Sequence, residues 1–416
     1  MDSTRSQERR QGPRPLALHL ANASLAWASS QAALPLWSSG SLPWSTELAS
    51  RASDLAQQLK QSPGAASVDT IGPAVERELR RRADLFLKGI ARYRASPYRR
   101  AMPEMPLLWQ EGTTRLLDYA PAGGTPVLVV PSLINRFYIL DLAPQNSLLR
   151  WLAAQGLRPL VIDWDAPGKE ERGYGLDQYV AGRLERAAEA ASKASGGQKL
   201  VVLGYCMGGL LALALAARRP ELVARLALLA TPWSFHAERA EHARFLGALG
   251  ANFAQSFAGM GEVPVDVLQA LFASLDPLLA ARKFMRFAQL PEGGAADAFV
   301  ALEDWLNDGV ALALPAALDC LVGWYGENRP GKGAWTVGGK PIVPEEIEIP
   351  SLVMLPASDR IVPPLSARAL AAALPNAEVL SPPLGHIGMV VGREAPKEVW
   401  GRLREWGRGR LGEANL

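Results

Sequence analysis

Cys206 stands at the centre of Gly204-Tyr205-Cys206-Met207-Gly208-Gly209, directly after the aliphatic run Leu200-Val201-Val202-Leu203. A buried strand, a residue flanked by glycines and then the helix-forming run Leu210–Ala217 describe a nucleophile elbow. In such a turn small residues let the chain bend tightly enough to leave the central side chain free at the carboxyl edge of a sheet. A serine there forms an oxoester that water removes. A thiol forms a thioester, which keeps the acyl group at nearly the free energy of a thioester substrate, so cysteine favours acyl transfer over hydrolysis.

This nucleophile needs a base and a group that orients the base, and with such an elbow the order along the chain is nucleophile, acid, histidine. The chain holds 4 histidines: His19, His236, His242 and His386. His386, in Pro383-Leu384-Gly385-His386-Ile387-Gly388, lies just past the last strand-like run, where a loop reaches over the elbow. Asp359 is the expected acid, delivered to a strand's carboxyl end by Ser351-Leu352-Val353-Met354-Leu355-Pro356, and Asp308 is the next carboxylate to consider. An aspartate in that place also suits a turn or helix cap, and a lone free cysteine is most often an inert buried thiol. The three residues together, in order and at strand ends, make the catalytic reading. The oxyanion hole is expected from the backbone N–H of Met207 and one from the turn Pro131-Ser132-Leu133-Ile134-Asn135, with Leu133 the first choice and Ile134 the second. Cys320, in the helical stretch Leu318–Val322, has no elbow and reads as packing.

The elements that must hold these residues follow from hydrophobic period. Strand-like runs at residues 114–119, 126–130, 158–164, 199–204, 225–230, 351–356 and 377–380 alternate with helical stretches. That pattern predicts an α/β class protein with a doubly wound, mostly parallel sheet. The interval between 225–230 and 351–356 exceeds any single crossover, so residues 233–335 are expected as a helical cap inserted between catalytic segments 106–232 and 336–416. Residues 16–105 form an expected N-terminal helical region with breaks at Pro35, Pro43, Pro63-Gly64 and Gly72-Pro73, after a disordered tail over 1–15. Its last segment sets Phe86, Ile90 and Tyr93 against Arg80, Arg81 and Arg82 on another face, the mark of an amphipathic helix. In the cap, Phe245, Phe253, Phe257 and Phe272 are candidates to cover the elbow, and the cluster Arg282, Lys283 and Arg286 could face phosphates.

With 416 residues and 49% hydrophobic content the chain can bury one large core and an accessory region. Its 44 basic and 41 acidic residues leave a formal charge of +3, which speaks against nucleic-acid binding. Cys206 and Cys320 are the 2 cysteines, too few for a disulfide framework, and the nucleophile must stay reduced, which fits a cytoplasmic protein. The apolar stretch Leu16–Trp37 is broken by His19, Asn22, Ser24 and Gln31, so it lacks the apolar core of a signal sequence, and no transmembrane segment is expected. No residue cluster suggests a metal or a resident cofactor.

These features resemble the polyhydroxyalkanoate (PHA) synthases. The resemblance is carried by Val129–Leu142 with its core "INRFYILDL", the 204–209 elbow, Ala230-Thr231-Pro232-Trp233, Trp324-Tyr325-Gly326-Glu327-Asn328, Asp359-Arg360-Ile361-Val362-Pro363 and Gly385-His386-Ile387. It implies an α/β-hydrolase fold, with Cys206, Asp359 and His386 as nucleophile, acid and base. It also implies an acyltransferase that polymerises (R)-3-hydroxyacyl-CoA with release of CoA, so that CoA thioester and growing polyester are ligands. A homodimer or a second synthase subunit are the partner arrangements it allows, with the PHA granule surface as a place of work. Intracellular PHA depolymerases and acyl thioester hydrolases are similar and form the alternative; a granule scaffold that kept the fold is a third class, against which the intact triad argues. Two positions depart from the family pattern: Arg360 stands where a histidine is usual, and Pro364 where a tryptophan often follows. The segment Leu302–Asp308 looks more like that of the two-subunit synthases.

Overall fold

The computed structural model describes residues 10–61 and 68–409. Residues 1–9 of the expected disordered tail and the Pro63-Gly64 break lie outside the described residues. The chain gathers into two compact units, one of Met1–Tyr98 with Asp276–Asp304 and the other of Arg99–Leu275 with Trp305–Leu416.

The second unit is built on an eight-stranded sheet: β1 (Leu107–Glu111), β2 (Thr114–Asp118), β3 (Thr125–Val130), β4 (Leu157–Asp163), β5 (Leu200–Tyr205), β6 (Val223–Leu229), β7 (Ser351–Met354) and β8 (Ala377–Leu380). Their spatial order is β1-β2-β4-β3-β5-β6-β7-β8. β1 and β2 pair antiparallel, as do β2 and β4. From β4 onward every pairing is parallel. This is the doubly wound, mostly parallel sheet that the alternation of elements predicts. Every residue of β5 and β7 is buried, because helices cover both faces, and so the strands carry the aliphatic runs Leu200–Leu203 and Leu352–Met354 without polar alternation. The helix Met207–Arg218, which follows β5, is buried from Met207 to Ala216.

Two local expectations change. β1 has no counterpart among the predicted strands; it is a partly exposed edge strand whose pairing with β2 slips between Leu107 and Trp109, so its sequence lacks the alternation of a regular half-buried strand. Gly72-Pro73 does not break the N-terminal region, because the helix Val68–Ala95 runs through Pro73. A proline so close to a helix start removes only one N–H from the ladder, near the turn where N–H groups lack partners anyway.

In the first unit the helices Leu16–Ala32, Val68–Ala95 and Leu279–Phe287 meet over an aromatic core. Phe284 packs edge-on against Tyr93 at 5.7 Å and against Phe299 at 5.3 Å, and Phe287 stacks on Phe299 at 4.1 Å. Gly89 lets the backbones of Val68–Ala95 and Leu279–Phe287 touch, since a side chain there would run into the Phe284 carbonyl. Lys283 pairs at 2.6 Å with Glu303, whose carboxyl is pushed up by burial, and Arg282 pairs with Asp276. Arg10, in the expected tail, forks onto Asp304 at 2.6 and 2.7 Å. Among the described residues no helix is long and apolar enough to cross a membrane.

Candidate active site

The strand β5 ends at Tyr205, and the chain then turns through Cys206 with φ 57° and ψ −127° before entering the helix Met207–Arg218. A non-glycine residue held at positive φ is strained and persists only where its surroundings fix it. Here the Cys206 N–H donates to the Leu229 carbonyl at 2.8 Å, which ties the turn to β6. The helix must then pass very close to its neighbours. A Cβ at Gly208 would collide with the Val130 carbonyl at the end of β3, and one at Gly209 with the Thr231 hydroxyl beyond β6. These two glycines explain the motif: they lower the helix onto the strand ends, and the thiol of Cys206, half-buried, is left at the rim.

His386 and Asp359 arrive from the other half of the sheet. Asp359 follows β7, and its Oδ1 accepts the N–H groups of Ile361 and Val362 at 2.8 and 2.9 Å. That loop turn orients the carboxylate so that Oδ2 meets Nδ1 of His386 at 2.7 Å. Both residues are buried, at 7% exposure each. Burial disfavours the imidazolium, but the charge of Cys206 and hydrogen bonds to Asp359 and Cys206 outweigh it and push His386 up to about 10. The structure thus brings Cys206, His386 and Asp359 together. With Nδ1 directed at the carboxylate, the other ring nitrogen is left to serve the thiol.

Tyr205 is a participant that the sequence reading misses. Its hydroxyl, buried in the sheet, donates to the backbone carbonyl of His386 at 3.0 Å, and the two rings lie 5.3 Å apart. The residue before the nucleophile therefore clamps the loop that carries the base. Only its phenol oxygen, in a strand otherwise filled with aliphatic residues, could have hinted at this. Tyr205→Phe is expected to slow alkylation of Cys206 by iodoacetamide at pH 7 by roughly fivefold, the equivalent of one hydrogen bond of ~1 kcal/mol. Mass mapping separates Cys206 from the buried Cys320. A wild-type alkylation rate in the variant would show that the clamp does not position the histidine.

Leu133 and Met207 are both buried, Leu133 in the loop after β3 and Met207 at the first position of its helix, where N–H groups lack a helical acceptor. The Ile134 N–H already donates to the Ser132 hydroxyl at 3.2 Å, which leaves Leu133 as the better donor of the pair. Trp164 holds this loop by donating from Nε1 to the Pro131 carbonyl at 3.0 Å. Asp308, the alternative carboxylate, is engaged elsewhere: Arg136 Nε and the Tyr138 hydroxyl both reach it at 3.0 Å, and Arg136 also pairs with Asp165 at 2.7 Å. The "INRFYILDL" residues thus bind loop to loop. Of the four candidate phenylalanines, Phe245 points to solvent at 57% exposure. Phe253 and Phe257 pack on each other at 5.3 Å. Phe272 lines an apolar cavity together with Cys320. Burial raises the Cys320 thiol well above its ordinary range, as suits a packing residue. Among the described residues no group of side chains could hold a metal ion.

Comparison with known proteins places this geometry in context. The family described as alpha/beta hydrolase fold matches residues 125–392. A poly(3-hydroxyalkanoate) polymerase subunit PhaC from Allochromatium vinosum is 30% identical over 287 residues, covering 68% of this chain and 80% of that protein. The proteins of the same name from Haloferax mediterranei and Haloarcula marismortui are each 29% identical, over 313 and 322 residues, and cover 72% of this chain. The match spans only 63% and 66% of the lengths of those two relatives.

Proposed function

Because this chain belongs to the PhaC family of poly(3-hydroxyalkanoate) polymerases, within the α/β-hydrolase fold, we propose that it is an acyltransferase that polymerises (R)-3-hydroxyacyl units from CoA thioesters through an acyl-Cys206 intermediate. The observation that carries this reading is a cysteine, rather than a serine, on the strained turn beside a buried His386–Asp359 pair.

His386 takes the proton of Cys206, and the sulfur attacks the thioester carbonyl of the hydroxyacyl-CoA. The oxyanion that forms is met by the N–H groups of Met207 and Leu133. The tetrahedral adduct collapses with cleavage of the carbon–sulfur bond to CoA, and the proton held on His386 leaves with the CoA thiol. The acyl group now sits on Cys206 as a thioester, close in free energy to the substrate, so the next transfer is not wasted downhill. His386 then removes the proton from the 3-hydroxyl of the next unit or chain end; the alkoxide attacks the acyl-cysteine, an ester forms, and the sulfur is released to be reprotonated. Asp359 keeps Nδ1 protonated and offsets the positive charge on the ring in both halves of the cycle.

Purified chain supplied with (R)-3-hydroxybutyryl-CoA and (R)-3-hydroxyhexanoyl-CoA is expected to release one CoA for each hydroxyacyl unit deposited as polyester. CoA release with free hydroxy acid and no polymer would replace this reading with a thioester hydrolase. Activity that appears only on adding a second synthase subunit would assign the chain to a two-subunit enzyme. Centrifugation with PHA granules tests attachment to their surface.

A further inference from the structure

Near the candidate site lies a cavity of about 110 Å3, lined entirely by residues of the second unit. One side is formed by the helices Ala240–Ser256 and Val265–Ala273, through Ala243, Leu246, Leu268, Leu271 and Phe272. The opposite side belongs to the candidate site. Ile361 and Val362 line it, and they carry the N–H groups that hold Asp359. Ile134, next to the oxyanion candidate Leu133, lines it as well. So does Tyr325, whose phenol is pushed up first by burial and then by the charge of Cys206. A single water needs on the order of 10–15 Å3, so this space is many times too large for one and is surrounded by side chains that offer water little to bond.

We propose that this cavity is the binding site for the aliphatic side chain of the hydroxyacyl unit, and that it selects units whose side chain is longer than methyl. The inference rests on the acyltransferase reading and extends it to a substrate class. A methyl group would leave most of the cavity without contacts, whereas a propyl or longer chain fills it, and each methylene taken from water into such a lining is worth roughly fourfold in binding. The pantetheine arm of CoA is a poorer occupant, because its two amides need hydrogen-bonding partners. Two polar groups on the wall are already used: the Ser366 hydroxyl accepts the Trp233 N–H at 3.1 Å, and the Glu238 carboxylate accepts the Leu365 N–H at 3.0 Å, which leaves His242, with its buried Nε2 unbonded, as one partner for two amides. Leu271 and Ala317 become specificity-determining residues on this reading, one half-buried on the cap side and the other fully buried at the back.

The test is kcat/KM for CoA release with (R)-3-hydroxybutyryl-CoA and (R)-3-hydroxyhexanoyl-CoA, which differ by two methylenes, on the full chain and on Leu271→Phe. The wild type is expected to favour the six-carbon unit by roughly fifteenfold. Leu271→Phe should erase most of that preference by slowing the longer substrate far more than the shorter one. Ala317→Val, a smaller intrusion, should reduce the preference in the same direction and stands in should Leu271→Phe melt early. Equal rates, or preference for the four-carbon unit in the wild type, would overturn the assignment of the cavity while leaving the acyltransferase reading intact. Release of CoA from neither substrate, with or without a second synthase subunit, would instead defeat the acyltransferase reading itself.

Discussion

Cys206→Ala is expected to abolish CoA release, by at least the 10³-fold or so that separates covalent catalysis from residual binding effects, while the melting temperature stays within a few degrees of wild type. The two expectations have one structural cause. Cys206 projects from the rim of the sheet and is only half-buried, so removing its sulfur leaves little cavity behind. Its strained turn is held by backbone groups, the N–H to the Leu229 carbonyl and the close passage of Gly208 and Gly209, none of which involves the thiol. The substitution also removes the charge that, against the cost of burial, does most to raise His386. The ring should therefore titrate well below its present value of about 10, moving back towards its ordinary range near 6.5. An NMR titration of the ring, read alongside activity and melting, checks all three outcomes; CoA release above a few per cent in a folded variant would reject Cys206 as nucleophile.

Replacing the partners of the thiol separates the two halves of the cycle. His386→Gln removes the proton acceptor for both and should lower steady-state turnover by roughly 10²–10⁴-fold. Asp359→Asn leaves the imidazole in place but loses the carboxylate that fixes Nδ1–H at 2.7 Å. Forming a thiolate asks little of the base, whereas deprotonating a 3-hydroxyl asks a great deal. In a single-turnover experiment Asp359→Asn should thus still release close to one CoA per enzyme while chain growth falls by two orders of magnitude or more. Unimpaired polymer formation by Asp359→Asn would remove Asp359 from the catalytic set. Asp308 would be a weak successor, since Arg136 and Tyr138 already occupy its carboxylate.

Much of the frame is legible in the residues because it depends on patterns within short windows. The aliphatic run 200–203 followed by glycines can hardly fold except as a buried strand and a sharp turn, and His386 and Asp359 stand at strand ends that are equally plain. What escapes depends on partners distant in the chain. The clamp from Tyr205 to His386 spans 181 positions, and nothing local to either residue announces it. β1 escapes because an edge strand need not alternate. The gathering of residues 276–304 with the N-terminal helices escapes for the same reason: Phe284, Phe287 and Phe299 look like ordinary cap packing until Phe86 and Tyr93 are set against them.

That long span also bears on how the protein is made. β5 finds its neighbours β3 and β6 among segments close to it in the chain, so the elbow can form early. β7, which leads to Asp359, pairs with β6, and β8, which leads to His386, pairs with β7, only after the whole inserted region between Leu229 and Ser351 has emerged. At ribosomal speeds of about 5–20 residues per second, roughly ten to forty seconds separate the synthesis of Cys206 from that of His386. Pairings of such high sequence separation are also the slow ones in folding. A chain on the ribosome therefore carries Cys206 for about ten seconds or more without His386, and the two side chains meet only when the last strands dock.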